Sequence, residues 1–243
     1  MCGIAGLLNI NGEEISPIVL KSMGDSIKHR GPDGEGQWIE NNVGIGHRRL
    51  AIIDLSPAGH QPMISADHRY VLSYNGEVYN YRELRTELEA EGYWFRSQTD
   101  SEVVLYALAL WGREALFKFN GMFALALWDR REKTLLLARD RYGIKPLYYF
   151  QNDEKIIICS EVNAIYSLNK ENSLNLKINF QAYWDYLTYR YIPGEQTSYN
   201  KILKFDRGTI YKIQKNIISK KKYWNVDFKN KKKNSFENKI ISF

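Results

Sequence analysis

Residues 2–9 read CGIAGLLN, an apolar run interrupted only by two glycines and closed by an asparagine. This composition predicts a buried strand that starts at the beginning of the chain. Cys2 stands at the head of that strand. Aminopeptidases remove a start methionine that precedes a small side chain, and cysteine is small enough. The strand would then open with a residue that carries both a thiol and a free α-amine.

The chemistry of such a terminal cysteine suits nucleophilic catalysis. A free thiol has a pKa of about 8.5 and an α-amine a pKa of about 7.7–8.0, so the two groups exchange a proton readily near neutral pH. One residue can therefore supply both the nucleophile and its base. A Met-Cys opening on its own is more often an accident of start-codon context, so the rest of the sequence has to decide.

The remaining pattern combines short strands with a few helices. Further strands are predicted at residues 43–53, 70–74, 122–128, 135–139, 147–150 and 155–160. The strand at 70–74 is predicted to end at the Asn-Gly pair that follows it. Helices are predicted from Pro17, around Leu84 and Leu88, and from a capping box formed by Thr99 and Glu102. Short connections between strands favour antiparallel sheets, and helices grouped apart from the strands favour an α+β fold.

The overall composition is that of a folded protein. Of 243 residues, 44% are hydrophobic and 14% aromatic, which supports a buried core and argues against disorder over most of the chain. No apolar run approaches the roughly 20 residues that span a bilayer, and no secretory signal is present. We therefore expect a cytoplasmic protein with no membrane contact, in which Cys2 and Cys159 form no disulfide.

The net charge of +6 is concentrated near the C-terminus. Residues 212–233 hold nine lysines and one aspartate, which leaves −2 for the rest of the chain. Lysine runs at 220–222 and 231–233 are typical of a solvated tail or linker, so nucleic acid is an unlikely partner. We predict a folded domain over residues 2–210. Residues 211–243 are predicted to form a basic linker or the start of a further domain.

Seven short motifs carry a family resemblance. They are CGIAG (2–6), HRGPDG (29–34), GHRRLAI (46–52), NGEVYN (75–80), TDSE (99–102), FNGMFA (119–124) and ARDRYGIKPL (138–147). In order and spacing they resemble class II glutamine amidotransferases over residues 2–210. The RGPD and RRL segments favour the N-terminal glutaminase domain of bacterial asparagine synthetases over the glucosamine-phosphate synthase and phosphoribosyl-amidotransferase branches.

The resemblance implies a fold and a reaction. The fold is the four-layer αββα sandwich of the N-terminal nucleophile (Ntn) hydrolases, with two antiparallel sheets flanked by helices. The reaction is hydrolysis of glutamine to glutamate and ammonia through a thioester on Cys2. Asn75 and Gly76 match the residues that stabilise the oxyanion, one through its side-chain N–H and the other through its backbone N–H. An Asn-Gly pair is also a common hairpin signal, and the Asn120-Gly121 pair is interpreted as such a turn.

The resemblance also implies which residues hold the glutamine substrate. Arg49 matches the residue that binds the α-carboxylate, because a guanidinium grips a carboxylate with two hydrogen bonds. Asp100 matches the acceptor for the α-ammonium, with support from Glu77. Asp100 also lies in a helix's first turn, where carboxylates are favoured anyway. Arg48 is predicted to lie on the surface. The backbone after Arg49 is expected to line the same pocket, through Leu50, Ala51, Ile52 and Ile53.

No cofactor is expected for the glutaminase step, and the four histidines show no metal-ligand spacing. In the family, ATP and Mg belong to a synthetase domain whose nucleotide loop is absent from this sequence. The expected partners are glutamine and a synthetase domain or subunit that accepts the ammonia, with a homodimer left open. Alternatives are a related amidotransferase that modifies a surface sugar or β-lactam precursor, and a non-catalytic regulatory module.

Overall fold

Twelve strands form two six-stranded antiparallel sheets in the computed structural model, which describes residues 1–169, 173–215 and 217–227. The strands of sheet A are β1 (Gly3–Asn9), β2 (Gly34–Glu40), β3 (Val43–Arg49), β8 (Tyr148–Gln151), β9 (Lys155–Cys159) and β10 (Ile202–Lys204). Those of sheet B are β4 (Met63–Ile64), β5 (Tyr70–Val78), β6 (Gly121–Asp129), β7 (Thr134–Arg139), β11 (Thr209–Gln214) and β12 (Ile217–Lys222). The orders are β10-β8-β9-β1-β3-β2 and β12-β11-β7-β6-β5-β4.

The predicted first strand is confirmed, and it lies inside sheet A between β3 and β9. Ile4 and Leu8 face sheet B and belong to the apolar cluster between the sheets. Ala5 and Leu7 face the other way, into the cluster beneath the helices. Successive side chains of a strand point to opposite faces, so a strand covered on both faces needs a continuous apolar run. This is why the chain opens with CGIAGLLN.

Helices cover the outer face of each sheet. Leu20 and Met23 of α1 and Ile165 of α5 pack on sheet A, whereas Leu88 of α2 and Val104 of α3 pack on sheet B. The layer order is therefore helix, sheet, sheet, helix, and the predicted αββα sandwich is confirmed. The helices are α1 (Pro17–Ser26), α2 (Tyr81–Ala90), α3 (Asp100–Trp111), α4 (Ala115–Lys118), α5 (Val162–Tyr166) and α6 (Phe180–Tyr189). None of the helices in the described ranges is long and apolar enough to cross a membrane.

Two strand ends differ from the prediction, and both differences fall at the candidate site. β5 continues through Asn75 and Gly76 to Val78, because these residues pair with β6 along its whole length. The expected end of this strand at the Asn-Gly pair is therefore wrong. β3 ends at Arg49 instead of Ile53, and beyond it the Ala51 N–H bonds to the Asp33 carboxylate (2.9 Å) and not to a strand.

Sheet B continues past residue 210, where the sequence analysis placed the end of the folded domain. β11 pairs with β7 from Thr209 to Gln214, and β12 pairs with β11, so residues 211–214 and 217–222 belong to sheet B. Tyr211 and Ile213 lie in the core between the sheets, which binds this segment to the domain. The lysine run at 220–222 therefore lies on a strand and not on a tail. The second lysine run and the rest of the expected linker from residue 228 lie outside the described residues.

Candidate active site

A cavity of about 100 Å³ lies where β1 begins and where β3 and β5 end. Every residue that the sequence assigned to the site lines it. They are Cys2, Arg49, Leu50, Ala51, Ile52, Ile53, Asn75, Gly76, Glu77 and Asp100. Met1, Gly59, Gln61, Tyr74 and Lys145 are among the other lining residues, and the sequence analysis had assigned none of them a role. The residues that the sequence analysis proposed for the site thus share one cavity, together with other residues of its wall.

The Cys2 thiol lies immediately before β1, against the backbone of Leu50. Its sulfur lies 3.3 Å from the Leu50 N–H, which can donate to it. Burial raises the pKa of the Cys2 thiol, and the Leu50 N–H and the chain's terminal ammonium act in the opposite direction. With Met1 still attached, burial prevails and the sulfur keeps its proton. Deprotonation at neutral pH therefore needs a base close to the sulfur.

Asn75 faces the same space as the thiol. Along β5, Val71 and Ser73 point toward sheet A, and Asn75 follows in the same alternation. Its side chain is 1% exposed, and its Nδ2 has no hydrogen-bond partner within the described part of the chain. A buried N–H without a partner is costly, at about 1–3 kcal/mol. This donor is therefore suited to a bond with a ligand's oxygen.

Gly76 contributes its backbone to the same wall. The N–H and C=O of its partner Phe123 bond to Asp140, on the side away from β5. Two residues that lie directly opposite each other in an antiparallel pair either bond to each other or both direct their backbone groups away from each other. Because Phe123 bonds on its far side, the backbone groups of Gly76 also point away from β6. The Gly76 N–H is thus directed off the sheet, toward the cavity. A Cβ at Gly76 would lie 2.4 Å from the Met122 carbonyl oxygen, so only glycine fits.

Arg49 is anchored to the loop that follows β3. Its Nη1 donates to the Ser56 carbonyl at 2.8 Å, and Nη2 donates to the Asp54 carbonyl. A guanidinium has five N–H donors, so capacity for a carboxylate remains. Gly59 packs against it, since a Cβ there would lie 2.2 Å from Arg49 Nη2. Nothing in the sequence indicates this contact, because Ser56-Pro57-Ala58-Gly59 is typical of an ordinary turn.

Asp100 is buried at the first position of α3, with its carboxylate turned toward β5. Its Oδ2 accepts from the Tyr74 hydroxyl (2.9 Å) and from the Val78 N–H (3.0 Å). Burial raises the pKa of Asp100, while these two donors pull it down and the nearby Glu77 raises it further. A buried carboxylate beside a cavity favours a cationic group in that cavity.

Arg48 contradicts its predicted surface position. It is 5% exposed, it forms ion pairs with Asp25 and Glu35, and its Nε donates to the Gly24 carbonyl at 3.0 Å. The cause is strand alternation, since Arg49 faces the cavity and Arg48 must face α1.

The preceding motif also reaches the nucleophile. Arg30 donates from Nε to the Cys2 carbonyl at 2.9 Å and from Nη1 to Glu161 at 2.8 Å. The guanidinium of Arg30 therefore fixes the backbone of the nucleophile, a function the sequence analysis did not assign to it.

A buried polar pair connects the two sheets one step below the cavity. His47 Nδ1 lies 2.9 Å from Ser73 Oγ, and each residue precedes a cavity residue by two positions on the same strand face. Burial lowers the pKa of His47 to about 3, so its ring is neutral at physiological pH. In the described residues, no group of three or more His, Cys, Asp or Glu side chains is placed to hold a metal ion.

An αββα sandwich with a thiol at the head of an interior strand, opposite a buried amide donor, defines an amidotransferase of the Ntn-hydrolase class. Comparison with known proteins gives the family. A family model described as a glutamine amidotransferase domain matches residues 1–224, and the chain belongs to this family. The match extends beyond residue 210, in agreement with the position of β11 and β12.

Two curated relatives share most of this chain. An asparagine synthetase (glutamine-hydrolysing) 1 of Bacillus subtilis is 35% identical over 237 residues, covering 94% of this chain and 36% of that protein. The asparagine synthetase (glutamine-hydrolysing) 2 of the same organism is 38% identical over 170 residues, covering 69% and 22%. The chain thus spans about a third or less of these two relatives.

Among solved structures, the glutamine phosphoribosylpyrophosphate amidotransferase of B. subtilis, determined with ADP and GMP, superposes with a TM-score of 0.68. The superposition covers 92% of this chain and 49% of the amidotransferase chain, at 18% sequence identity, and it supports a shared fold. The chain is therefore an enzyme of the class II glutamine amidotransferase type, corresponding to a glutaminase half.

Proposed function

We propose that the chain hydrolyses glutamine through a thioester on Cys2 and delivers the ammonia to a synthetase domain or subunit. One observation carries the proposal. The Cys2 thiol shares one cavity with Asn75 Nδ2, which has no hydrogen-bond partner among the described residues, and Arg49 and Asp100 line the same cavity. A nucleophile, an oxyanion donor, a cation and an anion are the groups that a zwitterionic amide requires.

The chemistry begins with removal of Met1, which exposes the α-amine of Cys2. That amine takes the thiol proton, and the sulfur attacks the side-chain amide carbon of glutamine. The oxygen becomes negative and accepts bonds from Asn75 Nδ2 and the Gly76 N–H. The nitrogen leaves as ammonia with the proton returned by the amine. Water then adds to the thioester, Cys2 recovers its proton, and glutamate is released.

Substrate orientation follows from the two charged walls. Arg49 would bind the α-carboxylate, with Leu50 to Ile53 alongside, and Asp100 would bind the α-ammonium with Glu77 nearby. An arriving ammonium compensates the buried Asp100 carboxylate, so part of the unfavourable burial becomes binding energy. No step in this sequence requires a cofactor. ATP and Mg would serve only the synthetase that consumes the ammonia.

Aspartate is the acceptor we assign to that ammonia, because two relatives that match this chain are asparagine synthetases. The greater part of each of those proteins lies outside the matched region, so the amidation would take place outside residues 1–224. A cytoplasmic location is part of the same proposal.

The test is glutamate release from glutamine, measured with and without ATP, Mg and aspartate. We expect equal rates in both mixtures and no asparagine. A second preparation in which Met1 is kept, by blocking the aminopeptidase, should be inactive if the free α-amine is the base. Full activity with Met1 retained would overturn the proposed base.

A further inference from the structure

Tyr74 connects the substrate-facing wall to the core. Its side chain is 2% exposed, and its ring belongs to the apolar cluster between sheet B and the helices α2 and α3. Its hydroxyl donates to Asp100 Oδ2 at 2.9 Å, beside the Val78 N–H at 3.0 Å. Tyr74 is therefore a core residue whose only polar side-chain atom holds the carboxylate that we assign to the α-ammonium.

The electrostatic surroundings determine which group donates in this hydrogen bond. Burial and the adjacent Asp100 raise the pKa of Tyr74 well above its usual range, so the phenol keeps its proton and always donates. Burial raises the pKa of Asp100, and the Tyr74 hydroxyl opposes that rise. Other charged or titratable groups that face this pair or line the same cavity are Glu77 on β5, Cys2 ahead of β1, Arg49 at the end of β3 and Lys145 between β7 and β8.

Two donors on one oxygen also fix the direction of the carboxylate. With Oδ2 held by Tyr74 and Val78, the Asp100 side chain cannot rotate without breaking both bonds. The Val78 N–H comes from backbone that every sequence supplies. The Tyr74 hydroxyl comes from one side-chain oxygen, which phenylalanine lacks while it fills the same space. The choice of tyrosine is thus separable from the packing of the core.

We infer that Tyr74 is a specificity-determining positioning residue, which aims the Asp100 carboxylate at the α-ammonium and so selects amides that carry this group. The inference rests on the proposed function, and it adds a residue that touches Asp100 and not the scissile amide. Loss of the hydroxyl should weaken discrimination between amides with and without an α-amine, and it should leave the thioester chemistry intact.

The test compares Tyr74→Phe with the unchanged chain on two substrates. One is glutamine, and the other is 4-carbamoylbutanoate, which is glutamine without its α-amine. A hydrogen bond to a charged group supports an expected loss of about tenfold or more in kcat/KM for glutamine, mostly in KM. The value for 4-carbamoylbutanoate should change less than about twofold. An equal loss on both substrates, or none on glutamine, would overturn the inference.

The pH profile gives a readout that a purely structural effect would not move. Asp100 must be ionised to hold an ammonium, so kcat/KM for glutamine falls as the pH drops through the pKa of Asp100. Removing the Tyr74 donor raises that pKa, and the acid limb should shift to higher pH in Tyr74→Phe. An unshifted limb contradicts the inference.

The matched control is Tyr106→Phe. Tyr106 is 4% exposed in the same apolar cluster, and its hydroxyl bonds to the backbone of Ala66, not to Asp100. We expect Tyr106→Phe to leave kcat/KM unchanged for both glutamine and 4-carbamoylbutanoate. Calorimetric binding of glutamine to Cys2→Ala chains, with and without Tyr74→Phe, tests the inference even without turnover. Failure of the unchanged chain to release glutamate would refute the proposed function alone.

Discussion

The two cysteines of this chain lie close together in one sheet and have opposite chemistry, since Cys2 directly precedes β1 and Cys159 ends the neighbouring strand β9. Cys159 ends β9 and pairs with Ala5 of β1, three residues along from Cys2. Its thiol is fully buried and donates to the Glu161 carbonyl at 2.8 Å. The Cys2 sulfur instead lies beside an N–H donor, from Leu50, and opens onto a cavity.

The difference shows that surroundings decide which thiol reacts. Burial raises the pKa of both thiols, and most strongly that of Cys159, which is enclosed by apolar side chains. What Cys2 has in addition is access, an adjacent amine after removal of Met1, and Asn75 across the cavity. Cys159 has none of these and serves as a small apolar side chain in the core beneath α5.

The largest expected effect separates the two thiols directly. Cys2→Ala should lower glutamine hydrolysis by about 10⁴-fold or more, as removal of a covalent nucleophile does. Cys159→Ala should leave kcat/KM within about twofold and lower the free energy of unfolding by about 1 kcal/mol. Steady-state glutamate release and chemical unfolding measure both. If Cys159→Ala inactivated a folded enzyme, the contrast between the thiols would fail.

The next effect tests whether Asn75 is what makes the Cys2 site different. Asn75→Ala should lower kcat by about 10²–10³-fold with little change in KM, because an oxyanion donor acts only in the transition state. The matched control is Asn120→Ala, which alters the same Asn-Gly dipeptide at an exposed connection to β6. Similar losses in both variants would assign the Asn75 effect to folding.

A third prediction extends the comparison to a buried group with no catalytic step of its own. His47 has a folded pKa of about 3, against about 6.5 in an unfolded chain. The unfolded state therefore takes up the proton first, and stability present above pH 6.5 is lost as the pH falls toward 3. Between pH 7 and pH 5 this loss amounts to about 2 kcal/mol.

Unfolding measured at both pH values in the unchanged chain and in His47→Gln gives that difference, with the exposed His68→Asn as control. If His47→Gln does not fold, an NMR titration of the native protein gives the same information. An imidazole that becomes charged above pH 5 in the folded state would contradict the prediction.

The smallest effect concerns the cavity wall opposite the thiol. Gly59→Ala places a Cβ where Arg49 Nη2 now lies, so the guanidinium must move and glutamine should bind about tenfold more weakly. Gly24→Ala is the control, because its Cβ would meet Arg48 Nε at an ordinary 3.6 Å. If the two variants had the same KM for glutamine, the proposal that Arg49 binds the substrate would be contradicted.

Much of this molecule could be predicted from the sequence because local pattern and tertiary position agree. The apolar run at residues 2–9 requires two covered faces, and β1 has them. The Thr99 cap places Asp100 at the start of a helix, and Thr99 Oγ1 does accept from the Glu102 N–H. The capping box is only half formed, since the Glu102 carboxylate bonds to the backbone of Arg96 and Ser97.

Where prediction failed, distant partners override local signals. Asn75 and Gly76 resemble a turn, but nine residues of β6 hold them in a strand. Arg48 looks exposed until α1 supplies Asp25 and β2 supplies Glu35. The segment after residue 210 was interpreted by its lysines, although Tyr211 and Ile213 alternate with Lys212 as a strand would. Tyr74 resembles an ordinary core aromatic, and nothing local indicates its bond to Asp100.

The position of the lysine run on β12 also affects the colloidal behaviour of the protein. β12 pairs with β11 on one side, and among the described residues no strand pairs with its other side. An unpaired strand edge of this kind can pair with a strand of a second molecule, which is how fibrils grow. The ammonium of Lys220 is paired with Glu195 and Asp206, but Lys221 and Lys222 carry their charges at the next two positions, so two such edges that approached each other would bring ammonium groups close together. The lysine run thus opposes aggregation at the strand where the sheet stops.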